Sequence, residues 1–201
     1  MTWINTISYE EATGKVKQLY ERIKGPDNNI DNIMMAHSLR PHTMEGHMAI
    51  YKNVLHNSKN TLPKWLLEAL GVYVSIINRC DYCIEHHFAG MNRLLNDAQR
   101  SNKIRDALES NNLEEVFVNQ DLAAMRYARK LTKTPEKISS QDIKSMHKLG
   151  LSDGEILEVN QVVSYFNYAN RMVLGLGINK EGDIIGLSPN DSGNIDNWSH
   201  Q

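Results

Sequence analysis

Apolar side chains recur at three- and four-residue spacing along most of the chain, and no stretch of useful length alternates apolar with polar. The first pattern belongs to one-faced helices and the second to strands, so the fold expected is all-α, a helical bundle. Ser8 and Glu11 stand at capping-box spacing and predict a helix from there to about Lys24, stopped by Gly25-Pro26. A helix is expected from about His42, behind Pro41, to His56, followed by the polar break Asn57-Ser58-Lys59-Asn60. Pro63 suits the first turn of an apolar helix that reaches Asn78. The next helix opens at Cys80, with Phe88, Met91, Leu94 and Leu95 as its apolar stripe. Further helices are expected at 99–109, 114–131 and 140–149. Ser152 and Glu155 form a second capping-box pair, opening a long helix to about Leu174 that Gly175 and Gly177 end. Residues 178–201 are polar and turn-rich and predict an irregular tail.

Composition narrows the class. The chain has 201 residues, which suits a single domain over 1–201 with room for a core. Hydrophobic residues make up 41%, charged residues 23%, and the formal net charge is -2, so neither a nucleic-acid surface nor a membrane partner is expected. The start, Met1-Thr2-Trp3-Ile4-Asn5-Thr6, lacks a basic region ahead of an apolar run, and no signal peptide is read there. The longest apolar segment, about Leu66 to Ile77, carries Glu68 and Ser75 and is too short to span a bilayer. Two cysteines do not make a disulfide framework, so a reducing cytoplasm is the expected location.

Both cysteines lie in Cys80-Asp81-Tyr82-Cys83-Ile84-Glu85-His86-His87. At about 100° per residue, Cys83 stands about 60° from Cys80 and His87 about 40° from Cys83, so the three share one helix face. Tyr82 and His86 point elsewhere; Tyr82 is expected to pack and His86 to face solvent. A helix N-terminus near Cys80 would favour thiolate. His87 is placed to accept or return a thiol proton. Glu68, the only charged residue between Trp65 and Asn78, needs a partner or a task. It could orient His87 or act as the base. Three plainer readings stay open: inert packing of the thiols, a zinc site completed by His87 and Glu68, and a structural ion pair for Glu68. The reading taken is a dithiol redox site without cofactor or metal.

The whole pattern Glu68-x11-Cys80-x2-Cys83-x3-His87, with Leu66-Leu67 before the glutamate, resembles the alkyl hydroperoxidase D-like branch of the carboxymuconolactone decarboxylase superfamily. The span from about 30 to 175 fits that family's helical core. Gly186-Leu187-Ser188-Pro189 and Trp198-Ser199-His200 resemble its peroxidase-related subgroup. The resemblance implies an all-α bundle assembled as a trimer or hexamer. It implies Cys83 as the peroxide-attacking cysteine, Cys80 as the resolving cysteine, and Glu68 with His87 as the proton relay through a water. The substrate would be a hydroperoxide and the partner an external dithiol reductant. One departure stands out. The family's characterised peroxidase has a histidine just before the second cysteine, where this chain has Tyr82, a poor base at neutral pH. A disulfide reductase or redox relay for a partner protein, and a non-catalytic redox-sensitive oligomer, are the alternatives.

Other features read as structure. The spacings of His37, His42, His47 and His56 do not stack on one helix face, so no metal site is expected there. Gly175-Leu176-Gly177 follows a helix rather than a strand, which fails the context of a dinucleotide fingerprint. Met34, Met35, Met44 and Met48 are taken as core filling over a pocket lining. Glu114, Glu115 and the basic residues of 126–133 are taken as solvated faces.

Overall fold

The computed structural model describes residues 2–189 and 198–200. Nine α-helices follow one another among them: α1 (Gly14–Ile23), α2 (Asn32–Met35), α3 (Pro41–Tyr51), α4 (Lys64–Asn78), α5 (Asp81–Leu95), α6 (Ala98–Ser110), α7 (Asn119–Lys133), α8 (Ser140–Lys148) and α9 (Asp153–Leu176). The described residues hold no strand, only an isolated antiparallel bridge between Pro189 and His200. No described helix is long and apolar enough to cross a membrane.

α4 is the axis of the bundle. Every residue from Leu66 to Ser75 is buried, as a helix that is apolar on all sides requires. α5, α9, α7 and α6 pack around it. A Cβ at Gly71 would stand 2.2 Å from the Phe166 ring, so glycine there lets α9 approach α4 closely. Arg79, left-handed at φ 59°, ends α4, and the Cys80 amide bonds back to Ser75 O at 2.9 Å. The two-residue corner between the helices turns α5 back along α4.

Ser152 and Glu155 form the capping box expected at α9. Gly177, at φ 61°, ends that helix, while Gly175 lies inside it. Ser8 and Glu11 also exchange hydrogen bonds, but no helix follows them. Tertiary bonds hold the preceding segment extended: Ile7 N donates to Ser38 Oγ at 2.9 Å and Tyr20 Oη donates to Ile7 O at 2.8 Å. α1 starts only at Gly14. The helix expected from 114 is a short 3-10 turn, Leu113–Glu115, and α7 begins after extended Val118. α3 runs into a π-helical turn at Lys52–His56, a local distortion that is common near functional sites. On α5, Met91 is buried as expected, but Leu94 is 43% exposed. Met44 and Met48 lie in the core.

Candidate active site

Cys80 is the N-cap of α5 and Cys83 lies in its first turn. Both are free thiols and buried, with their Sγ atoms hydrogen-bonded at 2.7 Å. The bond to Cys83 holds the Cys80 thiol below its ordinary value. Burial, then the hydrogen bond and charge of Cys80, push Cys83 well above its own. The helix N-terminus therefore does not by itself make Cys83 a thiolate. Asn170 opposes the rise by hydrogen-bonding Cys83. Its amide is fixed by donating to Ser75 Oγ at 3.0 Å and accepting from Asn78 Nδ2 at 2.9 Å.

Glu68 sits on α4 facing α5. It is 3% exposed, and His87 Nδ1 lies 2.7 Å from its Oε2. Burial pushes its carboxyl up, but His87, His56 and Arg93 outweigh burial and leave it below the ordinary carboxylate value. An ionised carboxylate can only accept, so Nδ1 of His87 carries the proton and Nε2 is left as an acceptor. A Cβ at Gly90 would stand 3.2 Å from Glu68 Oε1, so α5 offers the carboxylate a bare patch of backbone. The π turn brings His56 Nε2 to 3.9 Å from Glu68 Oε1. Phe166 meets the His87 ring edge to face at 4.5 Å and fixes its plane.

Cys83, Glu68 and His87 line one cavity of about 40 Å³, room for a few waters. Cys80 is not among its lining residues. Tyr51 and Tyr165 supply aromatic wall, their rings stacked at 5.6 Å. Glu68 also borders a more open cleft of about 360 Å³ with His56, Lys64, Arg93 and Ser188, a second route from the carboxylate to solvent.

A second stretch of wall combines other positions of α5 with distant parts of the chain. Asp31, Tyr82, His86, Leu187, Ser188 and His200 all reach the same cavity. Tyr82 Oη donates to Asp183 Oδ2 at 2.6 Å and accepts from Ile33 N at 3.3 Å. Asn32 N donates to Asp183 Oδ1 at 3.0 Å. His86 is 9% exposed rather than solvent-facing, with Nε2 3.4 Å from Asp183 Oδ2. Arg93 clamps the same segment by donating to Gly186 O and Ser188 Oγ.

No protein-family model matches the chain, and no curated protein does. Solved structures do match. The alkylhydroperoxidase AhpD core of an uncharacterized peroxidase-related protein from Ralstonia eutropha superposes with a TM-score of 0.75 at 18% identity, covering 92% of this chain and 96% of that one. An uncharacterized peroxidase-related protein from Silicibacter gives 0.74 at 22% identity, over 90% of this chain and 93% of that one. A protein of unknown function from Agrobacterium tumefaciens, a putative antioxidant defence protein AhpD, gives 0.60 at 20%, over 71% and 93%. The chain has the AhpD-like fold.

Within this AhpD-like fold the four residues singled out by spacing are brought together, Cys80 through its bond to Cys83 and the other three on the cavity wall. The reading missed Asp31, Asp183 and Asn170. Asp31 and Asp183 stand 152 positions apart in unremarkable polar stretches, and only folding pairs them. Asn170 had a signal available, a polar residue on the apolar stripe of the long helix. The expected irregular tail is irregular over 178–189, but it builds the cavity wall; the rest of it lies outside the described residues up to Trp198. Of the four histidines weighed as a metal cluster, His42 is exposed, His37 and His47 are buried with ring centroids 5.0 Å apart, and His56 faces Glu68.

Proposed function

We propose that the protein is a thiol-dependent peroxide-reducing oxidoreductase that cycles Cys80 and Cys83 between dithiol and disulfide. The observation that carries this is the shared cavity: Cys83, bonded to a second thiol, opens on the same small space as the Glu68–His87 pair. Because Cys83 is pushed up by burial, it needs a base, and His87 Nε2 is an acceptor held free for the thiol by the Nδ1 bond to Glu68. The Cys83 thiolate attacks the nearer peroxide oxygen, the O–O bond breaks, and Cys83 becomes a sulfenic acid while an alcohol or water leaves. Cys80 attacks that sulfur, the disulfide closes, and the sulfenic oxygen departs as water with the proton held on His87. An external dithiol reduces the disulfide by exchange.

Geometry favours Cys83 over Cys80 as attacker, although Cys80 has the lower proton affinity. Cys83 lines the cavity, and one proton crossing 2.7 Å moves the charge onto it. Burial of both sulfurs weighs against the alternative of a disulfide relay to a large protein partner in this conformation. The small cavity fits hydrogen peroxide or a slender hydroperoxide head. One domain and a homo-oligomer are part of the proposal, with exposed Ile50, Leu157, Tyr168 and Leu174 as apolar surface for the contact; light scattering of the purified protein checks the oligomer.

Stopped-flow oxidation of the reduced protein by hydrogen peroxide tests the reading, followed by mass analysis. The expected result is a rate far above that of a free thiol and a product two hydrogens lighter, joined at Cys80 and Cys83. Cys83→Ser should abolish the reaction, and a Cys83→Ser protein that still turns over peroxide would remove its assigned role.

A further inference from the structure

Asp31 is half-buried as a residue, yet its Oδ1 is sealed from solvent and has no hydrogen-bond partner. It occupies the N-cap position of α2 but makes no side-chain cap bond. The residue instead lines the cavity that holds Cys83. A sealed carboxyl oxygen without a donor is expensive as an anion and tolerable as a neutral acid. The groups around it reinforce this. Asp183, on the C-terminal segment, is a second carboxylate; Tyr82 on α5 spends its proton on Asp183, and the buried Tyr51 of α3 offers no charge. Among the described residues His86 on α5 opposes the rise, and it lies against Asp183, while His47 and His200, which also line the cavity, are held below their ordinary values by burial. Burial first, then Asp183, push the Asp31 carboxyl up to about 7.

Resting on the peroxidase reading, we propose that Asp31 is a further catalytic residue: the general acid that protonates the oxygen expelled from the peroxide as Cys83 takes the other. The Glu68–His87 pair removes a proton from the nucleophile, and Asp31 delivers one to the leaving group. When the Cys83 thiolate takes the nearer oxygen, the other departs as hydroxide or alkoxide. The Asp31 O–H bond breaks and that oxygen leaves as water or alcohol, with Asp31 left as carboxylate. Closure of the disulfide releases the Cys80 proton, which restores the Asp31 acid. The Cys83 proton on His87 leaves in the second water. Two thiols and one peroxide thus give one disulfide and two neutral products.

The test compares two oxidants on the reduced full chain. Hydrogen peroxide expels hydroxide, which needs a proton; peracetic acid expels acetate, which does not. Asp31→Asn should slow reaction with hydrogen peroxide on the order of 10²-fold and leave reaction with peracetic acid nearly unchanged. Equal losses with both oxidants, or no loss with hydrogen peroxide, overturn the role of Asp31. A wild-type rate with hydrogen peroxide no faster than a free thiol overturns the peroxidase reading itself, and the two failures are told apart by the wild-type rate alone. The unaltered protein gives a check that no folding defect can blur: the ratio of its hydrogen peroxide rate to its peracetic acid rate should fall as pH rises through about 7. A ratio that is flat with pH also overturns the proposal. Stability supplies a readout apart from activity. A carboxyl raised by folding favours the native state at low pH and loses that contribution as pH rises through its folded value. The melting temperature of Asp31→Asn relative to wild type should therefore climb as pH rises from the ordinary carboxyl value of 3.8 to about 7 and level off above it.

Discussion

Each of the two walls of the cavity presents one lining carboxyl, Glu68 or Asp31, and the walls treat them in opposite ways. Glu68 has His87 at 2.7 Å, His56 at 3.9 Å and Arg93 nearby, and it stays ionised against the pull of burial. Asp31 has a single opposing histidine and a second carboxylate, and burial wins. Residue type is nearly the same, although Glu68 is 3% exposed and Asp31 only half-buried. The sign of the shift is decided by whether a donor reaches the carboxylate: His87 bonds Glu68, and nothing bonds Asp31 Oδ1. Two carboxyls driven apart in this way divide the labour of a base and an acid at one pH.

The comparison breaks most sharply at the ionised wall. Glu68→Gln keeps an acceptor for His87 Nδ1 but removes the negative charge that would face the imidazolium formed when His87 takes the thiol proton, and on the proposed mechanism the hydrogen peroxide rate should fall by roughly 10²–10⁴-fold. Peracetic acid should suffer the same loss, because activation of Cys83 precedes either leaving group. A variant that slows only one oxidant would show that the two walls are not separate in function.

The second test changes the neutral wall from outside. Asp183→Asn removes the carboxylate that helps raise Asp31, while the carboxamide oxygen put in its place can still accept from Tyr82 Oη and Asn32 N. The pH at which the hydrogen peroxide to peracetic acid ratio falls should move down, since a like charge is gone. The unfolding free energy should drop by about 1–2 kcal/mol as charge-assisted bonds become neutral ones. An unmoved ratio would mean that burial alone sets Asp31.

The two walls were also unequally legible in the sequence. Glu68, Cys80, Cys83 and His87 lie on two consecutive helices joined by a two-residue corner, so helical spacing alone puts the cysteines and histidine on one face. The lone carboxylate in an apolar run marks itself. The other wall depends on Asp31 before a four-residue helix, His86 on the next helix face and a C-terminal segment without periodicity. None of these carries a local signal, and tertiary hydrogen bonds such as Asn32 N to Asp183 assemble them. His86 shows the same limit. It was expected to face solvent, turned from the thiols, yet it lines the same cavity as Cys83, and the segment that covers it comes from almost a hundred residues later. Ser8–Glu11 erred the other way, a good local signal overruled by the bonds of Ile7 and Tyr20.

The smallest effect is expected at Tyr82, where the resemblance places a histidine in the characterised peroxidase. Burial, and then the neighbouring carboxylates of Asp31 and Asp183, push the phenol well above its ordinary value, so it cannot take a proton at neutral pH. Its hydroxyl instead ties α5 to the C-terminal segment and to Ile33. Tyr82→Phe removes that tie but leaves Asp183 its bond from Asn32 N. Stability should fall by about 1 kcal/mol in denaturant unfolding. Both oxidants should react at close to the wild-type rate. A loss with hydrogen peroxide as deep as that of Asp31→Asn would transfer the acid's role to the phenol, and the division between the walls would then run through α5 rather than between Glu68 and Asp31.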